Sequence, residues 1–215
     1  SNNSLTSAGI LTLWGAASGF QPKTVLALGR LSGADPGSGT INLLLDSVVQ
    51  ASATFGQTLN GGIYAVRTTD GRTTVTFTAG ATTRSFVLYL DGSASGYAVE
   101  PTSTAGSAGL LEAQSAGPFD ANAPGLFVSG TQFPEDDSPM LLLPSVHFTS
   151  SSFAANFATG YYTVNPITGR AVGTINVSGA PVTAFAFYIV RPDKVVTLQG
   201  GSPYLNGVIS WYNSD

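Results

Sequence analysis

The chain has 215 residues, 43% of them hydrophobic and only 9% charged, with a formal net charge of −4. Its eight basic residues are scattered singly, which excludes the clustered cations that nucleic acid or an anionic membrane surface requires. Cysteine is absent, so no disulfide, thiolate-bound zinc or thiol nucleophile can form, and no apolar run reaches the ~18 residues of a membrane-crossing helix.

A surface so poor in charge must be wetted by Ser, Thr, Asn, Gln and Gly. β-branched Thr favours strands and Gly favours turns, so the composition points to an all-β protein. The start, Ser1-Asn2-Asn3-Ser4, reads as part of a polar N-terminal tail, residues 1–7, left after a leader is removed. Low charge with abundant Ser, Thr and Gly is the pattern of an exported protein.

In chain order, Gly9–Gly15 (GILTLWG) and Thr24–Ser32 (TVLALGRLS) alternate as strands. Gly33–Gly39 (GADPGSG) is turn chemistry. Thr40–Ser52 (TINLLLDSVVQAS) reads as one bent strand or a strand pair. Leu59–Arg67 places Tyr64 and Val66 on one face, Arg72–Thr78 places Val75 and Phe77, and Thr83–Leu90 places Phe86, Leu88 and Leu90. Asp70-Gly71 and Asp91-Gly92 are hairpin signals. Gly96–Glu100 and Ser107–Gln114 complete about eight strands.

Ser115–Ala123 (SAGPFDANA) is the expected boundary. Pro124–Thr131 then restarts the pattern of Gly9–Gly15. Gln132–Ser138 reads as a loop, Pro139–Val146 and His147–Phe157 as strands, and Asn206–Tyr212 as the last strand, parallel in pattern to Gly109–Gln114. Between them, Gly160–Gln199 is a near-copy of Gly62–Glu100. The spacing is 98 residues from Gly71 to Gly169 and 99 from Phe86 to Phe185, so one residue is inserted in the hairpin between these points.

Eight short strands joined by hairpins must hide an apolar face and manage two edges, and closure into a barrel does both. The expected fold is therefore all-β: two tandem repeats of about eight antiparallel up-and-down strands each, as barrel-like units packed together. The first unit would span 8–117 and the second 118–215. One sandwich built from both units, or two sheets sharing a core, are the alternatives.

The order SAGILTLWGAASG, VLALGRLSGADPGSGTI, GGIYAVRTTDGRTTVTF, FVLYL and AGLLEAQ resembles a family of uncharacterised exported bacterial tandem β-repeat proteins. Their pattern is close to SG-x-Y-x-F, AGSF-x-ADG-x-G-x-I, GTYTV-x-x-x-GRGTL, FAFYLVS and SG-x-L-x-x-Q. The match is tightest at GYYTVNPITGRAVGT and FAFYIVRPDKVVTLQ, and the ADG-x-G turn is missing from Gln132–Phe157. The resemblance implies export, often by lipoprotein anchoring, and carries no activity. The meander is similar to avidin-like and lipocalin-like barrels at the level of fold alone, which is no warrant for function.

No catalytic constellation stands out. His147 is the only histidine and no G-x-S-x-G elbow exists, so His147 reads as a strand-end residue. Glu135-Asp136-Asp137 fits no calcium-loop spacing and reads as a solvated loop, and no spacing singles out a carboxylate pair for glycoside hydrolysis. No metal or cofactor is expected. Arg72 and Arg170 follow equivalent hairpin glycines and read as structural, and Asn176-Val177-Ser178 reads as a chance glycosylation motif. The aromatic residues Trp14, Trp211, Tyr161 and Tyr162, with Tyr204 and Tyr212 near them in sequence, are the ligand-binding candidates, since exposed Trp and Tyr make platforms.

These features favour a non-enzymatic exported or cell-surface module, structural or adhesive, with an unknown protein, cell-surface or small-molecule partner. A barrel holding a small apolar or carbohydrate ligand is the alternative, and a hydrolase ranks third.

Overall fold

The computed structural model describes residues 1–17, 23–49, 52–80, 82–91, 94–101, 105–119, 126–134, 145–148, 152–155, 158–177, 183–200 and 207–213. These residues are all-β, with one short 3-10 helix at Asn2–Leu5 and no α-helix. No helix among them is long and apolar enough to cross a membrane. The chain divides into two compact units, Ser1–Ser47 with Thr54–Gln114, and Val48–Ala53 with Ser115–Asp215.

In the first unit, eight strands follow one another: β1 (Gly9–Ala17), β2 (Lys23–Asp35), β3 (Thr40–Val49), β4 (Ser52–Val66), β5 (Arg72–Ala79), β6 (Thr82–Leu90), β7 (Gly96–Pro101) and β8 (Ala105–Ala113). Each pairs with the next, and β8 returns to β1 in an antiparallel ladder with Leu111 opposite Leu11, closing an eight-stranded barrel. The stretch Thr40–Ser52 resolves into β3 and the first residue of β4, and Leu59–Arg67 covers the second half of a 15-residue β4.

Alternation decides what fills this barrel. Leu11 and Leu13 of β1, Ile41, Leu43 and Leu45 of β3, Tyr64 of β4, Val75 and Phe77 of β5, Phe86 and Leu88 of β6, and Leu111 of β8 are buried in one cluster. The Phe77 and Phe86 rings meet edge to face at 6.1 Å. Such a pair is worth about 0.5–1.5 kcal/mol beyond its buried area. An eight-stranded barrel is just wide enough to be filled by side chains, and here large apolar groups fill it.

The two ends of the barrel are finished differently. Asn2–Leu5, within the stretch that composition marks as a polar tail, is a helical turn with Leu5 in the core cluster. The Asn2 side chain accepts from the Val66 N–H at 3.0 Å, the Tyr64 hydroxyl donates to the Asn2 carbonyl at 3.2 Å, and the Ala94 N–H donates to the Ser4 carbonyl at 2.9 Å. A single leucine among polar neighbours gives no periodic signal, so this anchoring is invisible to pattern reading. Toward the other end, Arg84 makes two 2.7 Å bonds to the Glu100 carboxylate, which also accepts from the Ser107 hydroxyl at 3.3 Å.

The second unit contains β9 (Leu126–Pro134), β10 (Ser145–Phe148), β11 (Ser152–Ala155), β12 (Ala158–Val164), β13 (Arg170–Val177), β14 (Thr183–Arg191), β15 (Lys194–Gly200) and β16 (Gly207–Asn213). Antiparallel ladders run in order from β10 to β16, and β9 pairs with β10 on one side and β16 on the other. The single strand expected over His147–Phe157 is a hairpin instead, with His147 opposite Ala154 and Phe148 opposite Phe153. The residues between the two strands, 149–151, lie outside the described residues. Residues 139–144, expected to be extended, lie outside the described residues. Four strands, β12 to β15, carry most of the described side chains, with Tyr162, Ile175, Phe185 and Phe187 buried.

The β5–β6 hairpin of the first unit recurs in β13–β14. Arg72 lies opposite Tyr89 and Arg170 opposite Tyr188. The Arg67 N–H donates to the Arg72 carbonyl at 2.8 Å, and the Asn165 N–H to the Arg170 carbonyl at 2.8 Å. At the far end, Phe77 lies opposite Arg84 and Ile175 opposite Thr183. The inserted residue therefore falls in the turn beyond these pairs.

Candidate interaction surface

The four aromatic candidates do not form one platform. Tyr161 is 73% exposed while its neighbour Tyr162 is 5% exposed, because successive residues of a strand point to opposite faces. The Tyr162 ring packs edge to face on Phe187 at 5.1 Å, and burial pushes its phenol up to about 12. Trp211 lies on β16 opposite Val195 and Ser129. Trp14 lies on β1, opposite Leu26 and Ala108, and is half-buried.

Trp14 borders a feature that the sequence reading missed. On the outer face of the barrel, Tyr89 of β6 lies opposite Tyr97 of β7, and Tyr97 lies opposite Leu110 of β8. The next row is Val87, Val99, Ala108 and Trp14, on β6, β7, β8 and β1. Directly opposed residues have Cβ atoms about 5 Å apart, so the two rows form one continuous patch. Tyr97 is 68% exposed, Tyr89 47%, Val99 37% and Leu110 36%.

A signal for this patch was present in the strand phases. Phe86, Leu88 and Leu90 turn inward, which sends Val87 and Tyr89 outward. Ala98 and Glu100 turn inward, which sends Tyr97 and Val99 outward. Each strand carries apolar residues in both phases, and only the inward phase is needed for a core. Contiguous exposed apolar patches mark interaction sites far more often than scattered ones do, and Tyr contributes large contact area with a polar tip.

The patch core is uncharged. Near it, Arg72 is half-buried opposite Tyr89, and the exposed Arg67 and Asp70 pair with each other. That pairing holds the Asp70 carboxyl below the usual carboxylate range and raises Arg67. Arg72 and Arg170 each open a strand, β5 and β13. Their backbone N–H groups are held by the turn before them, through Asp70 Oδ1 at 3.1 Å and Thr168 Oγ1 at 3.2 Å.

Inside the barrel, the Arg84 guanidinium stands 5.6 Å from the Phe86 ring centre, while its bonds to Glu100 hold it in place. This group can fix strand register and brace a barrel end, since all three strands β6, β7 and β8 contribute to it. His147 lies within β10, opposite Leu126 and Ala154. Glu135, Asp136, Asp137 and Tyr204 lie outside the described residues, and Tyr212 lies on β16. Asn176 is exposed on β13, and Ser178 lies outside the described residues. Among the described residues, no three His, Cys, Asp or Glu side chains gather as a metal site would require.

No family model matches the chain, and no curated protein matches it.

Proposed function

We propose that this chain is a non-enzymatic, exported or cell-surface β-repeat module that acts by binding a partner on the outer face of its first barrel. The observation that carries this reading is the row Tyr89–Tyr97–Leu110, exposed on a barrel whose interior is filled by Leu, Phe and Tyr side chains. A filled interior supports an outside site over an internal ligand. The charge-poor, Ser-, Thr- and Gly-rich composition supports export.

The second unit is a copy of the first in this reading, closing into a barrel of the same kind. Support comes from the recurrence of the β5–β6 hairpin in β13–β14 and from the pairing of β9 with both β10 and β16.

The test is cosedimentation of the purified protein with bacterial cell envelopes. Tyr97→Ser with Leu110→Ser is expected to lower envelope binding at least several-fold without lowering the melting temperature. Equal binding by the wild type and the double variant would overturn the reading.

A further inference from the structure

The alternation of β4 breaks at one point in the first barrel. Leu59 and Gly62 are buried, and the two residues between them, Asn60 and Gly61, are both exposed. Gly61 has a φ of +65°. Two successive exposed residues, one of them a left-handed glycine, are the mark of a β-bulge, where an extra residue leaves the ladder. The Gly61 N–H donates to a side chain, Asn42 Oδ1 of β3, at 2.9 Å, and this bond is exposed. The space around position 61 is open, since a Cβ built there would meet nothing within 4 Å.

This bulge holds one of the two Asn-Gly pairs in the sequence, the other being Asn206-Gly207. In such a pair the side-chain carbon Cγ of Asn and the nitrogen of the next residue can close a five-membered ring. The attack is intramolecular, so proximity favours it, and glycine brings no side chain to hinder it.

We propose that Asn60 is a site of spontaneous deamidation, with the Gly61 nitrogen as nucleophile and the Asn42 side chain as its brake. Solvent takes the Gly61 amide proton, the nitrogen bonds to Asn60 Cγ, the Cγ–Nδ2 bond breaks, and the amide leaves as ammonia. Water then opens the ring. Opening between Cγ and the nitrogen gives aspartate. Opening at the Asn60 main-chain carbonyl gives isoaspartate, in which the chain runs on through Cγ. The sum is one water consumed, one ammonia released and one carboxylate gained.

The bulge decides both the rate and the consequence. An N–H within a ladder is held by a cooperative sheet, whereas an exposed bond to a side chain opens at low cost. The Gly61 nitrogen must leave Asn42 before it can turn on Cγ, so this bond slows the reaction. Beyond the bulge the strand is fixed. A Cβ on Gly62 would overlap the Phe77 ring, and Ile63 and Tyr64 lie opposite Thr76 and Val75. Isoaspartate adds a main-chain carbon just before these contacts, and aspartate adds none. The isoaspartate form is therefore the destabilised one. The site lies on β4, apart from the face of β6, β7 and β8, and stands independently of the binding reading.

Peptide mass mapping of the purified protein, incubated at mildly alkaline pH, tests this. The expected result is conversion of amide to acid at Asn60, with isoaspartate among the products, and its loss in Asn60→Ser. Asn42→Ala should speed conversion at Asn60 several-fold with no matching rise at Asn206. Asn42→Asp keeps an acceptor for the Gly61 N–H and should convert as slowly as the wild type. The melting temperature of the aged wild type should fall as isoaspartate accumulates, while fresh Asn60→Asp melts like the wild type. No conversion at Asn60, or conversion at Asn206 alone, would overturn the proposal. An Asn42→Ala rate at Asn60 that does not rise, or that rises equally at Asn206, would overturn the role of Asn42.

Discussion

Gly71 and Gly169 occupy the same point of equivalent hairpins with nearly the same backbone, at φ of +68° and +66°. The Gly71 N–H donates to the Arg67 carbonyl at 3.0 Å, and its own carbonyl accepts from the Leu90 N–H at 3.2 Å. Gly169 makes the matching bonds with Asn165 and Ile189, both at 2.9 Å. A side chain at position 71 would also bring its Cβ to 2.6 Å from the Leu90 carbonyl oxygen. Gly71→Ala is therefore expected to cost at least about 1–2 kcal/mol, the penalty of a left-handed non-glycine residue, with the contact adding to it. Urea denaturation of the variant measures this.

The Arg84–Glu100 pair sets a second expectation. The Glu100 side chain is 7% exposed and that of Arg84 21%. Removing one partner of a buried pair strands the other charge and costs about 3–5 kcal/mol. Arg84→Met should fall at the lower end of that range, because part of Arg84 already meets water. Replacing both, Arg84→Met with Glu100→Leu, should recover most of the loss, since an apolar pair strands no charge. A double variant less stable than Arg84→Met alone would contradict this account.

Gly62 lies directly under the Phe77 ring, so an added Cβ would overlap it. Gly62→Ala is expected to cost about 1–3 kcal/mol by overpacking. Combining it with Phe77→Leu should cost less than the two single losses added together, because the smaller side chain vacates the contested space. A double-mutant cycle in urea reads this coupling directly.

Alkaline pH should weaken the fold through its buried tyrosines. Burial raises Tyr162 from 10.0 to about 12, and burial with the nearby Asp35 charge raises Tyr64. Between the unfolded and folded values, the unfolded chain has lost a proton that the folded protein keeps. The stability tied to Tyr162 is complete below about pH 10 and disappears as pH rises toward 12. The melting temperature of the wild type should fall more steeply across that window than that of Tyr162→Phe. Parallel slopes would contradict it.

Much of the first barrel was legible because its strands alternate cleanly. Val75 and Phe77, and Phe86 with Leu88, alternate onto one face in the sequence and lie in the core. The Asp70-Gly71 and Thr168-Gly169 turns were legible because glycine marks positive φ. What escaped the reading has specific causes. Leu5 stands alone among polar residues. The break between Phe148 and Ser152 carries neither Gly nor Pro. Tyr97 and Leu110 carry no signal of their own, because a strand with apolar residues in both phases has the same sequence pattern whether its outer face is covered or bare. Tyr161 and Tyr162 are adjacent in sequence, and the strand that carries them sends their side chains to opposite faces.

The most direct test of a working surface against a working interior is envelope binding by two variants measured side by side. One changes the face, Tyr97→Ser with Leu110→Ser, and the other changes the barrel interior, Arg84→Met with Glu100→Leu. The account predicts that the face variant loses binding several-fold while the interior variant binds like the wild type. Full binding by the face variant, with loss in a folded interior variant, would contradict it.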